Sequence, residues 1–226
     1  AQQGLSERQK ARFFDVELKL VTLRKGVFAL TDPGSRKDSE YENFLPVGVF
    51  LVTVIFGGLI GFVSVRFLVA DYFFQQSFVA AAANDAQKTY QLQTLAINMF
   101  PQRDGFHRIF SQINLTLANN LAQSIPQGSN PSADTQNTIY QLIQQSINSG
   151  RNATTVSPQN AINWQNLSSI YRSLIGFGQN ADSFAIFANQ QALVLDPNNP
   201  QQYINYGGIF YQLGQWDNAI RQFQIA

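Results

Sequence analysis

The chain has 226 residues, enough for one modest domain and something more, with a formal net charge of +1. Only 13 % of it is charged while 45 % is hydrophobic, and Gln, Asn, Ser and Thr fill the difference. This balance excludes an electrostatic nucleic-acid binder, and the absence of cysteine excludes disulfides, thiolate metal sites and cysteine nucleophiles.

Residues 1–42 form a charged N-terminal segment in which Leu5 to Leu23 reads as an amphipathic helix, with Phe13, Val16, Leu20 and Leu23 near one face. Turn formers mark Thr31 to Ser39 as a loop. From Asn43 to Val65 there are 23 residues without a charge, dominated by Leu, Val, Ile and Phe. A helix of that length covers the roughly 30 Å of a hydrocarbon core, and only a helix satisfies its own backbone there. A single transmembrane helix is therefore expected over 43–69, with the lipid bilayer as its partner. Gly57 and Gly61 have the GxxxG spacing that lets two membrane helices pack closely. Eight Lys or Arg precede the span, whereas Arg66 is followed by none until Lys88. The positive-inside rule then places the N-terminus in the cytoplasm and the rest outside it, in the cell envelope. No Gly or Pro stands between Gly61 and Pro101, so the span either continues into the next helix or kinks near Arg66 to Ala70.

Beyond the span the chain reads as helix pairs. Ala is followed by Pro five residues later at Ala96/Pro101, Ala153/Pro158 and Ala192/Pro197, where a second helix ends and proline stops it. From Pro200, Tyr203 takes the fourth place, Tyr206 and Gly207 the seventh and eighth, and Phe210 the eleventh. Gly214 and Trp216 form a turn, and Ala219, Phe223 and Ala226 follow at places 20, 24 and 27. Trp164, Leu167, Ser168 and Tyr171 repeat places 4, 7, 8 and 11 after Pro158. This pattern resembles the tetratricopeptide repeat, a pair of antiparallel helices whose small residues at places 8, 20 and 27 allow close packing. The expected fold is all-α: one transmembrane helix followed by an irregular tetratricopeptide-like α-solenoid. Its pairs would span 70–101, 104–158 with a polar insertion at 123–134, 161–197 and 200–226. Starting at Ala1 and stopping in mid-pattern at Ala226, the chain reads as a piece of a longer protein.

Chemistry is scarce. His107 is the single histidine and falls at a helix-packing place. The carboxylates beyond the span are scattered near expected helix starts and turns, where Asp accepts hydrogen bonds from free N–H groups. No metal-ligand spacing or phosphate loop is present outside the span, so no cofactor, metal or enzyme activity is expected. Three N-glycan acceptor patterns occur, at Asn114, Asn152 and Asn166.

Binding is the expectation the resemblance carries. In the repeat family, places 2, 5, 9 and 12 of each first helix line a concave groove. Here those places give Arg108, Gln112 and Leu115, then Ile162, Gln165, Ser169 and Arg172, then Gln201, Ile204 and Tyr211, with Gly105 and Gly208 beside them. The groove is mostly neutral, which argues against acidic-tail ligands and for a polar, apolar-patched peptide, an envelope protein or another copy of the chain. The order of span, Asp71-Tyr-Phe-Phe74 and repeats is also similar to bacterial O-antigen ligase or polymerase-like proteins with external repeat tails. That similarity implies glycan-transfer residues outside this chain. Stacking into a surface layer or filament is the remaining alternative.

Overall fold

The computed structural model describes residues 23–24, 27–28 and 44–226 except Gln127. The loop expected over Thr31–Ser39 lies outside these residues. So does the helix expected over Leu5–Leu23, save Leu23 itself, which stands in a two-residue strand. Strand β1 (Leu23–Arg24) pairs antiparallel with β2 (Val27–Phe28), with Leu23 opposite Phe28. The rest of the described chain is helical: α1 (Phe44–Ala82), α2 (Ala86–Met99), α3 (Asp104–Gln123), α4 (Ala133–Val156), α5 (Ala161–Ser173), α6 (Ala181–Leu195), α7 (Pro200–Gln212) and α8 (Trp216–Ile225). Two compact units share the chain, Ala1–Val65 and Arg66–Ala226.

Every residue from Val47 to Leu68 is exposed. A bare surface of Phe50, Ile55, Phe56, Ile60 and Phe62 is unfavourable in water, and α1 is long and apolar enough, by length and composition, to cross a membrane. At each of Gly48, Gly57, Gly58 and Gly61 an added Cβ would meet open space. Burial begins at Ala70 and recurs at Ser77 and Ala80, a helical stripe facing α2.

The second unit is a run of helix pairs whose first helices are joined to their partners by small residues. Gln93 of α2 donates to the Ser77 hydroxyl at 3.1 Å. Ser146 of α4 donates to the Ser111 carbonyl at 2.8 Å, and Ser168 of α5 to the Ala185 carbonyl at 2.8 Å. In the last pair a Cβ at Gly207 would come within 2.5 Å of the Phe223 ring. Side chains this small let two helix backbones approach until a hydroxyl reaches the neighbouring main chain. Around these crossings the apolar core is modest: Leu167, Tyr171, Ala185, Ala188, Tyr206 and Ile209 form one cluster, and Ala70, Ala96 and Phe106 another.

The helix ends follow from local chemistry. Asp85 and Ser132 accept from the N–H groups of Lys88 and Thr135, and Asn160 and Asn199 from those of Ile162 and Gln201. Pro200 occupies the first turn of α7, where a missing N–H is harmless. Ala96, Ala153 and Ala192 are fully buried, and each accepts at its carbonyl from the residue that caps its helix. Gly214 makes the α7–α8 turn at φ +72°, a conformation that favours glycine.

At the start of the unit Arg103 pairs with Asp71 of α1. Its guanidinium lies 4.7 Å from the Phe106 ring centre and 5.4 Å from that of Phe67.

The small-residue crossings make a direct prediction. Ala185→Leu forces extra volume into the fully buried α5–α6 crossing and should cost about 1–3 kcal/mol. Ala82→Leu, at an exposed position, should stay within about 0.5 kcal/mol. Denaturant unfolding of the two variants against the parent checks both values.

Candidate functional site

The first helices of successive pairs (the C-terminal part of α1, then α3, α5 and α7) repeat one division of labour. The third place of each of the last three is buried: Phe106, Asn163 and Gln202. Five residues further along the same helix, Ser111, Ser168 and Gly207 pack against the partner helix. Of the places between, Trp164 packs edge-on against Phe187 of its partner helix at 6.0 Å, whereas Phe110 and Tyr206 reach back to Tyr90 and Gln190 of the preceding pairs.

Amides join these helices. Gln112 donates to Asn166 Oδ1 at 2.9 Å, and Asn166 in turn donates to the Ser111 hydroxyl at 2.8 Å. Gln202 donates to Gln165 Oε1 at 3.2 Å while its own carbonyl accepts from Asn189 at 3.3 Å. Arg172 donates through Nε to Gln212 Oε1 at 3.3 Å, and Gln212 donates back to the Arg172 carbonyl at 3.3 Å. The guanidinium lies flat against α7 because residue 208 is glycine: a Cβ there would stand 2.7 Å from Nη2.

Between α3 and α5 these contacts leave an open cleft of about 350 Å³. Gln112, Leu115, Ile162, Gln165 and Ser169, all expected from the sequence, line it. Thr116, Asn166 and Ile170 line it too and were not foreseen; Asn166 is the most informative, because it sits one helical step beyond Gln165 and faces Gln112. The remaining expected residues lie outside this cleft. Arg108 is half-buried on α3 one turn before Gln112. Arg172 is engaged by α7, Gln201 donates to Asn205 at 3.0 Å, and Ile204 and Tyr211 are exposed on α7. Tyr211 packs edge-on against Trp216 at 4.9 Å.

The repeat-signature residues behave mostly as packing. Leu167, Ala192, Ala219 and Gly207 are buried, and Tyr171 stacks on Phe184 at 5.1 Å while accepting from Arg151 Nε at 2.8 Å. Trp164 donates its indole N–H to the Pro158 carbonyl at 2.8 Å, and Tyr206 lies 4.7 Å from Phe210. Tyr203 is half-buried; Pro197 is exposed in the turn after α6, and Phe223 and Ala226 are exposed at the last helix. His107 is buried and donates Nε2–H to the Pro101 carbonyl at 2.8 Å, a fastening for the α2–α3 turn. Asn114 and Asn166 are buried, so the folded chain offers neither to a glycan transferase, whereas Asn152 is exposed. Among the described residues no three of His, Cys, Asp and Glu cluster as a metal site.

One carboxylate is held by the array. Asp104, at the start of α3, accepts from Asn163 at 2.7 Å and from Asn160 at 2.8 Å, both at the start of α5. Burial pushes its pKa up, but these two amides, the Gly105 N–H and the Arg108 charge outweigh it and hold the carboxyl below its ordinary value. Asn163 is wholly buried, and its amide divides its two N–H donors between this carboxylate and the Ala153 carbonyl at 3.1 Å.

No protein-family model matches the chain, and no curated protein matches its sequence. Solved structures do match. The crystal structure of MamA has 12 % identity and a TM-score of 0.51, covering 69 % of this chain and 75 % of that one. TTC0263, a thermophilic tetratricopeptide protein of Thermus thermophilus, has 14 % identity and a TM-score of 0.51, with 68 % and 70 % covered. A MamA double mutant from RS-1 gives 0.50 at 13 % identity, with 69 % and 72 % covered.

The Asp104 joint predicts an acid-sensitive array. A native pKa below the unfolded one contributes stability above the ordinary aspartate value, and that stability is lost as pH falls through the native value. Asp104→Ala should therefore lower stability at neutral pH by about 1–3 kcal/mol, the cost of stranding a buried amide. Its deficit against the parent should shrink toward pH 3 in unfolding curves. At identities this low the solved structures speak for architecture, and the architecture is plain: the helix pairs of this chain form a tetratricopeptide-type solenoid.

Proposed function

We propose that this chain is a membrane-anchored scaffold whose repeat solenoid holds an extended, weakly charged segment of a partner protein outside the cytoplasm. The observation that carries the reading is the α3–α5 cleft. Five side chains that the repeat register assigns to ligand contact converge there, and the fold places no charged group in its lining. Neutral amides and hydroxyls suit a peptide main chain, to which they donate and accept, while Leu115 and Ile162 offer apolar contact. A ligand held this way gains little from ion pairing, so its binding depends weakly on salt.

Anchoring rests on the bare apolar surface of Val47–Leu68, which lipid would cover. The sidedness rests on the eight Lys or Arg that precede the span. Close packing of Gly57 and Gly61 against a second copy would pair two such anchors.

A photo-crosslinking residue at Ser169, exposed at the cleft, tests the binding reading. Adducts to a partner protein should form from Ser169 and not from the exposed Asn152 on α4. Their yield should change less than about twofold between roughly 0.05 M and 0.5 M salt. Equal adducts from both positions, or loss of yield at high salt, would count against a neutral groove ligand. External trypsin on intact cells tests the sidedness: Arg103, Arg108 and Arg151 should be cut and Arg12 and Arg24 spared. The reverse pattern would make this a cytoplasmic docking platform.

A further inference from the structure

α3 is 20 residues long, whereas α5 and α7 have 13 each. The excess is the C-terminal part of α3, which together with the start of the 24-residue α4 extends the second pair. The outcome is a second cleft, of about 470 Å³, between the end of α1, the start of α2 and this longer α3. That volume falls within the range of about 300–1,000 Å³ usual for ligand pockets. Its apolar surfaces are Phe78 on α1 and Ile109, Ile113 and Leu117 on α3, and Phe78 is 43 % exposed. Gln112 and Asn120 are among the amides at its edge. No lining residue is charged.

Gln112 and Thr116 line both this cleft and the one between α3 and α5. The two clefts therefore meet at α3, one on each side of it. We propose that the α1–α3 cleft is the anchor pocket of the same groove: it takes one uncharged apolar side chain, aromatic or branched aliphatic, from the peptide that crosses α3. This rests on the peptide-binding reading of the α3–α5 cleft. Charge decides the occupant. A carboxylate or ammonium group entering the pocket would lose water and meet no counter-charge, whereas an apolar side chain would cover Phe78, Ile113 and Leu117. The peptide's main chain is served at the same step by the Gln112 amide on the crossing helix. Only part of that amide is committed within the fold, since it gives one N–H to Asn166.

The test uses the full chain in lipid nanodiscs with isotope-labelled isoleucine methyls, titrated with N-acetylphenylalanine amide as the probe. The Ile109 and Ile113 methyl signals should shift saturably. N-acetylphenylalanine, which differs by one negative charge, and N-acetylalanine amide, which lacks the ring, should each bind at least about tenfold more weakly. Ala81→Trp fills the pocket from an exposed position of α1 and should abolish the shifts; Leu117→Ala should weaken them without closing it. Absence of saturation, equal binding of the charged probe, or persistence of the shifts in a folded Ala81→Trp variant would overturn the proposal. Ile162→Trp, which fills the α3–α5 cleft from an exposed position while the photo-crosslinking residue stays at Ser169, separates it from the groove reading. If that variant ends crosslinking to the partner while Ala81→Trp does not alter it, the groove stands and the anchor pocket falls. If both variants end it, and the probe still reaches the pocket of the Ile162→Trp protein, the anchor pocket is supported.

Discussion

The close approach of two helix backbones within each pair is the constraint on which the solenoid depends. Ser77, Ser111, Ser168 and Gly207 recur at the same place of successive first helices, and each is buried against its partner helix. A larger side chain at any of them would push the pair apart, because a packed interior has no slack to absorb it. Hydroxyls at these crossings do more than stay small. Ser146 and Ser168 reach across to main-chain carbonyls, so each joins its pair with a directed bond as well as with contact.

That choice shapes the rest of the interior, which is unusually polar for a helical array. Gln93, Asn114, Asn163, Asn189 and Gln202 are all buried almost completely. Most of them bond between helices, as Asn189 does to the Gln202 carbonyl and Asn163 to Asp104. An amide network of this kind orients helices more specifically than apolar contact alone, because each donor has few acceptable partners. It also explains how the chain manages with so few charges. The amides of Gln112, Gln165 and Arg172's partner Gln212 perform between first helices the joining that ion pairs perform in more charged repeat proteins. The Arg103–Asp71 pair at the start of the unit is an ion pair, buttressed by the rings of Phe67 and Phe106.

The same neutrality carries into the clefts. Seven Lys or Arg and seven Asp follow Val65, and none of them lines either cleft. Recognition there works by shape, apolar cover and hydrogen bonds to a main chain. The long α3 divides that surface into two open clefts of about 350 and 470 Å³, each lined by amides, hydroxyls and apolar side chains together.

Sequence alone determined the all-helical, repeat-built character of the chain. The spacing of Ala192, Pro197, Gly207, Gly214 and Ala219 reflects backbone demands, and such demands leave marks on residue type. The uncharged run from Asn43 to Val65 is legible for the same reason, since a helix with nothing polar to show is a local property. Register also brought five of the cleft residues to the right face. Only the tertiary structure decided which amides are spent on neighbouring helices and which face the clefts. Arg172 has the register of a ligand contact, yet it lies across Gly208 and bonds to Gln212, forty residues away. Asp104 looked like an ordinary helix start, yet it holds two amides of the next pair. Such pairings depend on how successive helix pairs stack, and residue type carries no local mark of a partner that distant in the chain.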